Sequence, residues 1–150
     1  MTDKHDLTLE DRLEIGNLFA RYGRLVDGGD AEGYADLYTE DGSFDRINPL
    51  VDGTGSGLPA QAFRGRAALA QLVRDIAVTF QGKMRHQLTD IYVEPTGEPG
   101  QARGTCYALI TDWRDGPGKL SMHATYRMSI VRTDDGWRFK DVTIERLPAA

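Results

Sequence analysis

The chain has 150 residues, with 18 lysines and arginines against 23 aspartates and glutamates, a net charge of −5 and 40% apolar residues. That length predicts one domain over residues 1–150, large enough to bury a core without disulfide or metal staples. The acidic balance argues against nucleic acid as a partner, no segment approaches the ~20 apolar residues that span a membrane, and a lone Cys106 forms no internal disulfide.

The opening MTDKHDLTLEDR is polar and lacks the apolar stretch of a secretory signal, so a reducing cytoplasm is the expected compartment. Thr8 is positioned to cap a first helix, with Glu10 and Asp11 at its positive N-terminal end. Leu13, Ile15, Leu18, Phe19, Tyr22, Leu25 and Val26 recur near helical spacing, and Gly28-Gly29 stops the helix. Asp30 caps a short second helix, AEGYADLYT, with Tyr34, Leu37 and Tyr38 as its apolar stripe. Glu40-Asp41-Gly42 reads as a turn, and Ser43-Phe44-Asp45 begins an extended segment.

Residues 46–62 are rich in glycine and proline and read as a long loop. A third helix is predicted from Arg66 to Phe80, with Leu69, Leu72, Val73 and Ile76 inward. After Gly82 the pattern turns extended. Strands are predicted over Arg85–Val93, Ala102–Trp113, Lys119–Arg132 and Trp137–Glu145, with Asp134-Asp135-Gly136 as a tight hairpin turn. Helices followed by long strands give an α+β class: a curved antiparallel sheet wrapped around the N-terminal helices, forming a cone with an interior pocket.

Two residues in this order carry chemistry. Asp27 ends the first helix and His86 opens the first long strand. If the fold joins them, the carboxylate fixes one ring nitrogen and leaves the other free to move protons. Left apart, they are a core histidine and a helix-end carboxylate. Alternation along the third long strand turns Tyr126 and Met128 inward and His123 outward. Tyr22, Tyr38, Tyr126 and Met128 are therefore candidate pocket residues, with core packing as the alternative role. His123 is read as a surface or subunit-contact residue, Cys106 as a small apolar one, and Arg85 as facing away from His86. His5, His86 and His123 show no metal-ligand spacing, and Gly53, Gly55 and Gly57 no phosphate-binding motif, so neither metal nor cofactor is expected.

Four pieces in sequence, YGRLVDGGD, GYADLYTEDGSFD, RHQLTD and YRMSIVRTDDGWRFKDVTIER, resemble the nuclear transport factor 2-like superfamily and its SnoaL-like group. The surroundings of Asp27 and His86 are similar to those in scytalone dehydratase, hexachlorocyclohexane dehydrochlorinase and bile-acid 7α-dehydratase. The resemblance implies that His86 removes a proton while a leaving group departs from the neighbouring carbon. Cys106 falls near a second histidine of scytalone dehydratase, and Asp90 where an asparagine is common. The expected activity is that of a cofactor-independent lyase or isomerase on a small hydrophobic steroid, polyketide or aromatic compound. A non-catalytic pocket for a hydrophobic ligand, and a structural subunit resembling the dioxygenase small subunit, are the competing expectations. A homodimer or homotrimer is expected from the broad open sheet.

Overall fold

The computed structural model describes residues 6–47 and 61–147. Helix α1 spans Leu9–Gly28, and Thr8 and Asp11 start it with a reciprocal capping box. Thr8 Oγ1 accepts the Asp11 amide at 3.1 Å and Asp11 Oδ2 accepts the Thr8 amide at 2.9 Å. Gly29 closes the helix in the left-handed conformation, φ 73°, which glycine adopts without a side-chain clash. Helix α2, Ala31–Ala35, is capped by Asp30 and is shorter than its sequence suggests.

Tyr38 does not extend α2; it opens strand β1, Tyr38–Ile47. The polar Glu40-Asp41-Gly42, expected as a turn, instead falls where the register of β1 shifts between Tyr38 and Ser43. A short strand β2, Gln61–Arg64, pairs antiparallel with β1. Arg46, Ile47, Gln61 and Ala62 were expected in the long loop and are strand residues; the rest of that loop, 48–60, lies outside the described residues. Helix α3 follows over Gly65–Phe80.

The remaining strands match their expected extents within a residue or two: β3 Met84–Pro95, β4 Gln101–Asp112, β5 Lys119–Thr133 and β6 Gly136–Arg146. The sheet order is β2-β1-β6-β5-β4-β3. The expectation of a wholly antiparallel sheet is corrected at one seam, because β1 runs parallel to β6 with Phe44 opposite Val142. The long stretch of chain between β1 and β6 permits this, since a parallel pair needs a crossover rather than a hairpin. The six-stranded mixed sheet is not closed.

Alternation sends Ala124, Tyr126, Met128 and Ile130 of β5 into the core, together with Phe139, Val142 and Ile144 of β6. Helix α1 packs on β3 and β6, while α3 packs on β1, β2 and α2. Among the described residues, no helix is long and apolar enough to cross a membrane.

Candidate active site

Asp27 lies in the last turn of α1, and His86 is the third residue of β3. The Asp27 carboxylate accepts two hydrogen bonds from His86. Oδ2 takes the backbone amide at 2.8 Å and Oδ1 meets ring Nδ1 at 2.6 Å. A carboxylate only accepts, so Nδ1 carries the proton and Nε2 of the neutral ring keeps its lone pair. The two side chains are 11% and 7% exposed, so water competes little for the contact.

This approach depends on Gly23, one turn before Asp27 on the same helix face. A Cβ at Gly23 would meet the His86 carbonyl oxygen at 3.3 Å and the His86 Cβ at 3.4 Å. Glycine there brings the helix near enough to β3 for a short aspartate to reach both the backbone amide and ring Nδ1 of His86.

His86 forms part of the wall of a pocket of about 380 Å³ between α3 and the sheet. Apolar side chains such as Phe63, Leu72, Ile110 and Ile144 form much of it. Tyr22 and Tyr126 also line it, with the Tyr22 ring centroid 6.1 Å from that of His86 and 5.6 Å from that of Tyr126. Burial pushes both phenols well above the ordinary tyrosine value, so both remain hydrogen-bond donors. Tyr126 Oη is buried with no hydrogen-bond partner among the described residues.

The residues singled out from sequence thus divide. Asp27 and His86 meet, and Tyr22 and Tyr126 share the pocket with His86. Tyr38 and Met128 are buried in the core behind the wall rather than lining it. Tyr38 spans the distance to Tyr34, whose hydroxyl lies 2.8 Å from its own, and Tyr34 is the one that reaches the pocket. Cys106 is buried, and desolvation pushes its thiol up to about 12, which removes it as a nucleophile. Asp90 is exposed where the β3 register shifts and is not part of the pocket wall. His123 sits half-buried, its ring centroid 5.9 Å from that of Tyr107. Among the described residues, no group of three His, Cys, Asp or Glu side chains is arranged to hold a metal.

Sequence reasoning missed Arg46, Asp75, Ser121 and Arg146, all in the pocket wall. Asp75 and Thr79 had a signal: with Leu72 and Ile76 they share one helical face, so two polar groups interrupt an apolar stripe. Arg46 had none, because it was assigned to the loop.

The chain matches the SnoaL-like domain family over residues 7–143. Comparison with curated proteins finds no match. Among solved structures, it is similar to an NTF2-like protein with a cystatin-like fold from Novosphingobium aromaticivorans. The two are 30% identical, with a TM-score of 0.79 over 95% of this chain and 85% of that one. A protein of unknown function from Mycobacterium tuberculosis is 26% identical, with a TM-score of 0.78 over 94% of this chain and 74% of that one. A candidate dehydratase of the NTF2-like family from Streptomyces avermitilis shares the fold at 21% identity, with a TM-score of 0.70 over 93% and 98% of the two chains.

Proposed function

The chain belongs to the SnoaL-like domain family, and from that premise we propose that it is a cofactor-independent lyase or isomerase acting on a small hydrophobic compound. The observation that carries this reading is the 2.6 Å contact of Asp27 with His86 Nδ1 in the wall of an apolar pocket. His86 Nε2 takes a proton from carbon. The electron pair left behind either expels a leaving group from the neighbouring carbon or moves a double bond, with the proton returned elsewhere. Asp27 holds the ring orientation and tautomer and offsets the charge that the ring takes up. Tyr22 and Tyr126 donate hydrogen bonds to the oxygen on which negative charge develops. Tyr38 supports the wall through Tyr34, and Met128 through core packing. Steroid, polyketide and aromatic ring compounds are the substrate classes that suit this lining.

Incubation of the protein in deuterated water with a panel of ring ketones and β-hydroxy ketones, read by mass spectrometry, tests the reading. Wild type incorporates deuterium or eliminates water from a member of the panel, and His86→Ala does so at least ~100-fold more slowly. Equal rates in the two proteins would overturn the mechanism. A compound that binds and is recovered with no deuterium would favour a binding pocket instead.

Self-association as a dimer or trimer is part of the same proposal. Tyr92, Tyr107 and Leu120 are exposed, and their cross-strand partners Thr105, Thr125 and Thr111 share the outer side of the sheet. Sedimentation equilibrium checks it, and a monomer at micromolar concentration would remove this part.

A further inference from the structure

The charged groups of the pocket are not all explained by proton transfer. Arg46, near the end of β1, lines the same pocket as His86, Tyr22 and Tyr126. Its Nη1 donates to Gln61 Oε1 at 2.7 Å, and its guanidinium carbon lies 5.9 Å from the Phe44 ring centroid. Its Nε is buried with no hydrogen-bond partner among the described residues.

Seven other arginines among the described residues pair with carboxylates and make a contrast. Arg64 holds Asp45, the carboxylate adjacent in sequence to Arg46, through two hydrogen bonds of 2.7 and 3.2 Å. Arg127 holds Glu145, Arg114 holds Asp112 and Arg132 holds Asp11. Among the described residues, no carboxylate lies within ion-pair distance of Arg46. A guanidinium is charged at any pH a protein meets and offers five donors in a planar fork. Lining an apolar pocket, with Gln61 its one hydrogen-bond partner among the described residues, it favours a ligand that brings an acceptor with negative charge. Its positive charge also reaches the neighbouring phenols, drawing Tyr22 and Tyr126 downward against the larger upward effect of burial.

We propose that Arg46 is a substrate-binding residue that pairs with a carboxylate on the substrate, so that the pocket prefers apolar ring acids over neutral ring compounds of the same shape. The proposal rests on the pocket being the substrate site and narrows its substrate class. The carboxylate binds at Arg46, the ring fills the apolar wall, and the reacting carbon faces His86. Because the acid is anionic before any chemistry, Arg46 acts on binding. His86 acts on turnover.

The test compares 2-naphthoate with 2-naphthamide, which share a ring and differ in charge, by isothermal titration calorimetry. Wild type binds the acid at least ~10-fold more tightly than the amide, the discrimination that about one charge-assisted hydrogen bond supplies. Arg46→Gln brings the two within about twofold, and Arg46→Lys retains part of the preference. His86→Ala keeps the wild-type preference. Equal binding of acid and amide by wild type overturns the anion anchor and leaves the proton-transfer reading standing, whether or not Arg46→Gln folds. A preference that survives in folded Arg46→Gln also overturns it, since another cation then holds the acid. Binding of neither probe overturns it together with the apolar-ring pocket. An acid preference that is lost in Arg46→Gln, with deuterium exchange equal in wild type and His86→Ala, supports the anchor and overturns the proton-transfer reading instead.

Discussion

The two ends of helix α1 each carry an aspartate shielded from water, and the protein uses them in opposite ways. At the N-terminal end, Asp11 accepts from the Thr8 amide, from Trp137 Nε1 at 3.0 Å and from the Arg132 guanidinium. Arg132 also stacks 4.9 Å from the Trp137 ring centroid. Those donors come from the helix cap and from β5 and β6, so Asp11 ties the start of α1 to the sheet. At the C-terminal end, Asp27 accepts both its bonds from one residue, His86. The Asp11 partners are donors only, and none serves as an acid or base near neutral pH. The Asp27 partner has a second ring nitrogen and faces a pocket. A shielded carboxylate becomes an instrument of chemistry through the residue it orients and what that residue faces; burial alone makes it a tie.

The strongest way to break this comparison is to remove the charge at each end in turn. Asp27→Asn is expected to lower turnover by about 10²–10⁴, the range of general acid–base catalysis, while the protein still melts cooperatively. The neutral amide can present its nitrogen to Nδ1 and so select the wrong tautomer. Turnover on whichever compound the deuterium assay identifies, together with a circular-dichroism melt, reads both quantities. An Asp27→Asn protein with full turnover would reduce Asp27 to a second tie.

Asp11→Asn should do the reverse, costing about 2 kcal/mol of stability with turnover of the folded protein unchanged. Its pH dependence gives a sharper signature. Burial alone would raise the Asp11 carboxyl; hydrogen bonds from Thr8 and Trp137 and the charge of Arg132 outweigh it and hold the group down at about 2, against its ordinary 3.8. A depressed carboxyl stabilises the fold at pH above its unfolded value and loses that contribution as pH falls through its folded value. Urea unfolding should therefore show a wild-type advantage over Asp11→Asn that is constant above pH ~5 and shrinks from pH ~4 toward pH ~2. An advantage independent of pH across that window would mean that shape, not charge, makes the tie.

Gly23→Ala sharpens the same contrast within the functional end. Alanine is the better helix former by about 1 kcal/mol, so stability should hold or rise slightly. Its Cβ would press on the His86 backbone at 3.3 Å, and the helix or the strand must give by a few tenths of an ångström. Turnover is expected to fall about 3–10-fold from misplacement of the ring, with the melting temperature unchanged or higher. Unchanged turnover would show that the dyad tolerates more slack than its spacing suggests.

These ends differ in how far the sequence discloses them. Thr8 and Asp11 form a local pattern three residues apart, so the cap was readable, but nothing local announces that Trp137 and Arg132 come to Asp11 from over a hundred residues away. Asp27 and His86 are 59 residues apart, and their meeting was suggested only by family resemblance and by the positions they hold at a helix end and a strand start. The long strands were readable because alternation is a local signal. The parallel β1–β6 seam was not, because register between distant segments is decided by packing. For the same reason Tyr38 looked helical: its spacing from Tyr34 fits a helix, and only pairing with Phe139 makes it strand. Arg46 was hidden by the glycines and prolines that follow it.

The smallest expected effects lie among the tyrosines, where the contrast between a tie and a free group reappears without charge. The hydroxyls of Tyr34 and Tyr38 are 2.8 Å apart and satisfy one another, whereas Tyr126 Oη has no partner among the described residues. Tyr34→Phe leaves the Tyr38 hydroxyl buried alone and should cost about 1 kcal/mol. Tyr126→Phe removes a group with no hydrogen-bond partner among the described residues and should be neutral or stabilising, within about 1 kcal/mol. Urea midpoints of the two variants measure this difference directly. If Tyr126→Phe proves as costly as Tyr34→Phe, its hydroxyl is satisfied in solution and is a tie like the others. If it is neutral in stability yet lowers turnover, the hydroxyl is held unpaired for the ligand, and it joins the functional end of the helix with Asp27.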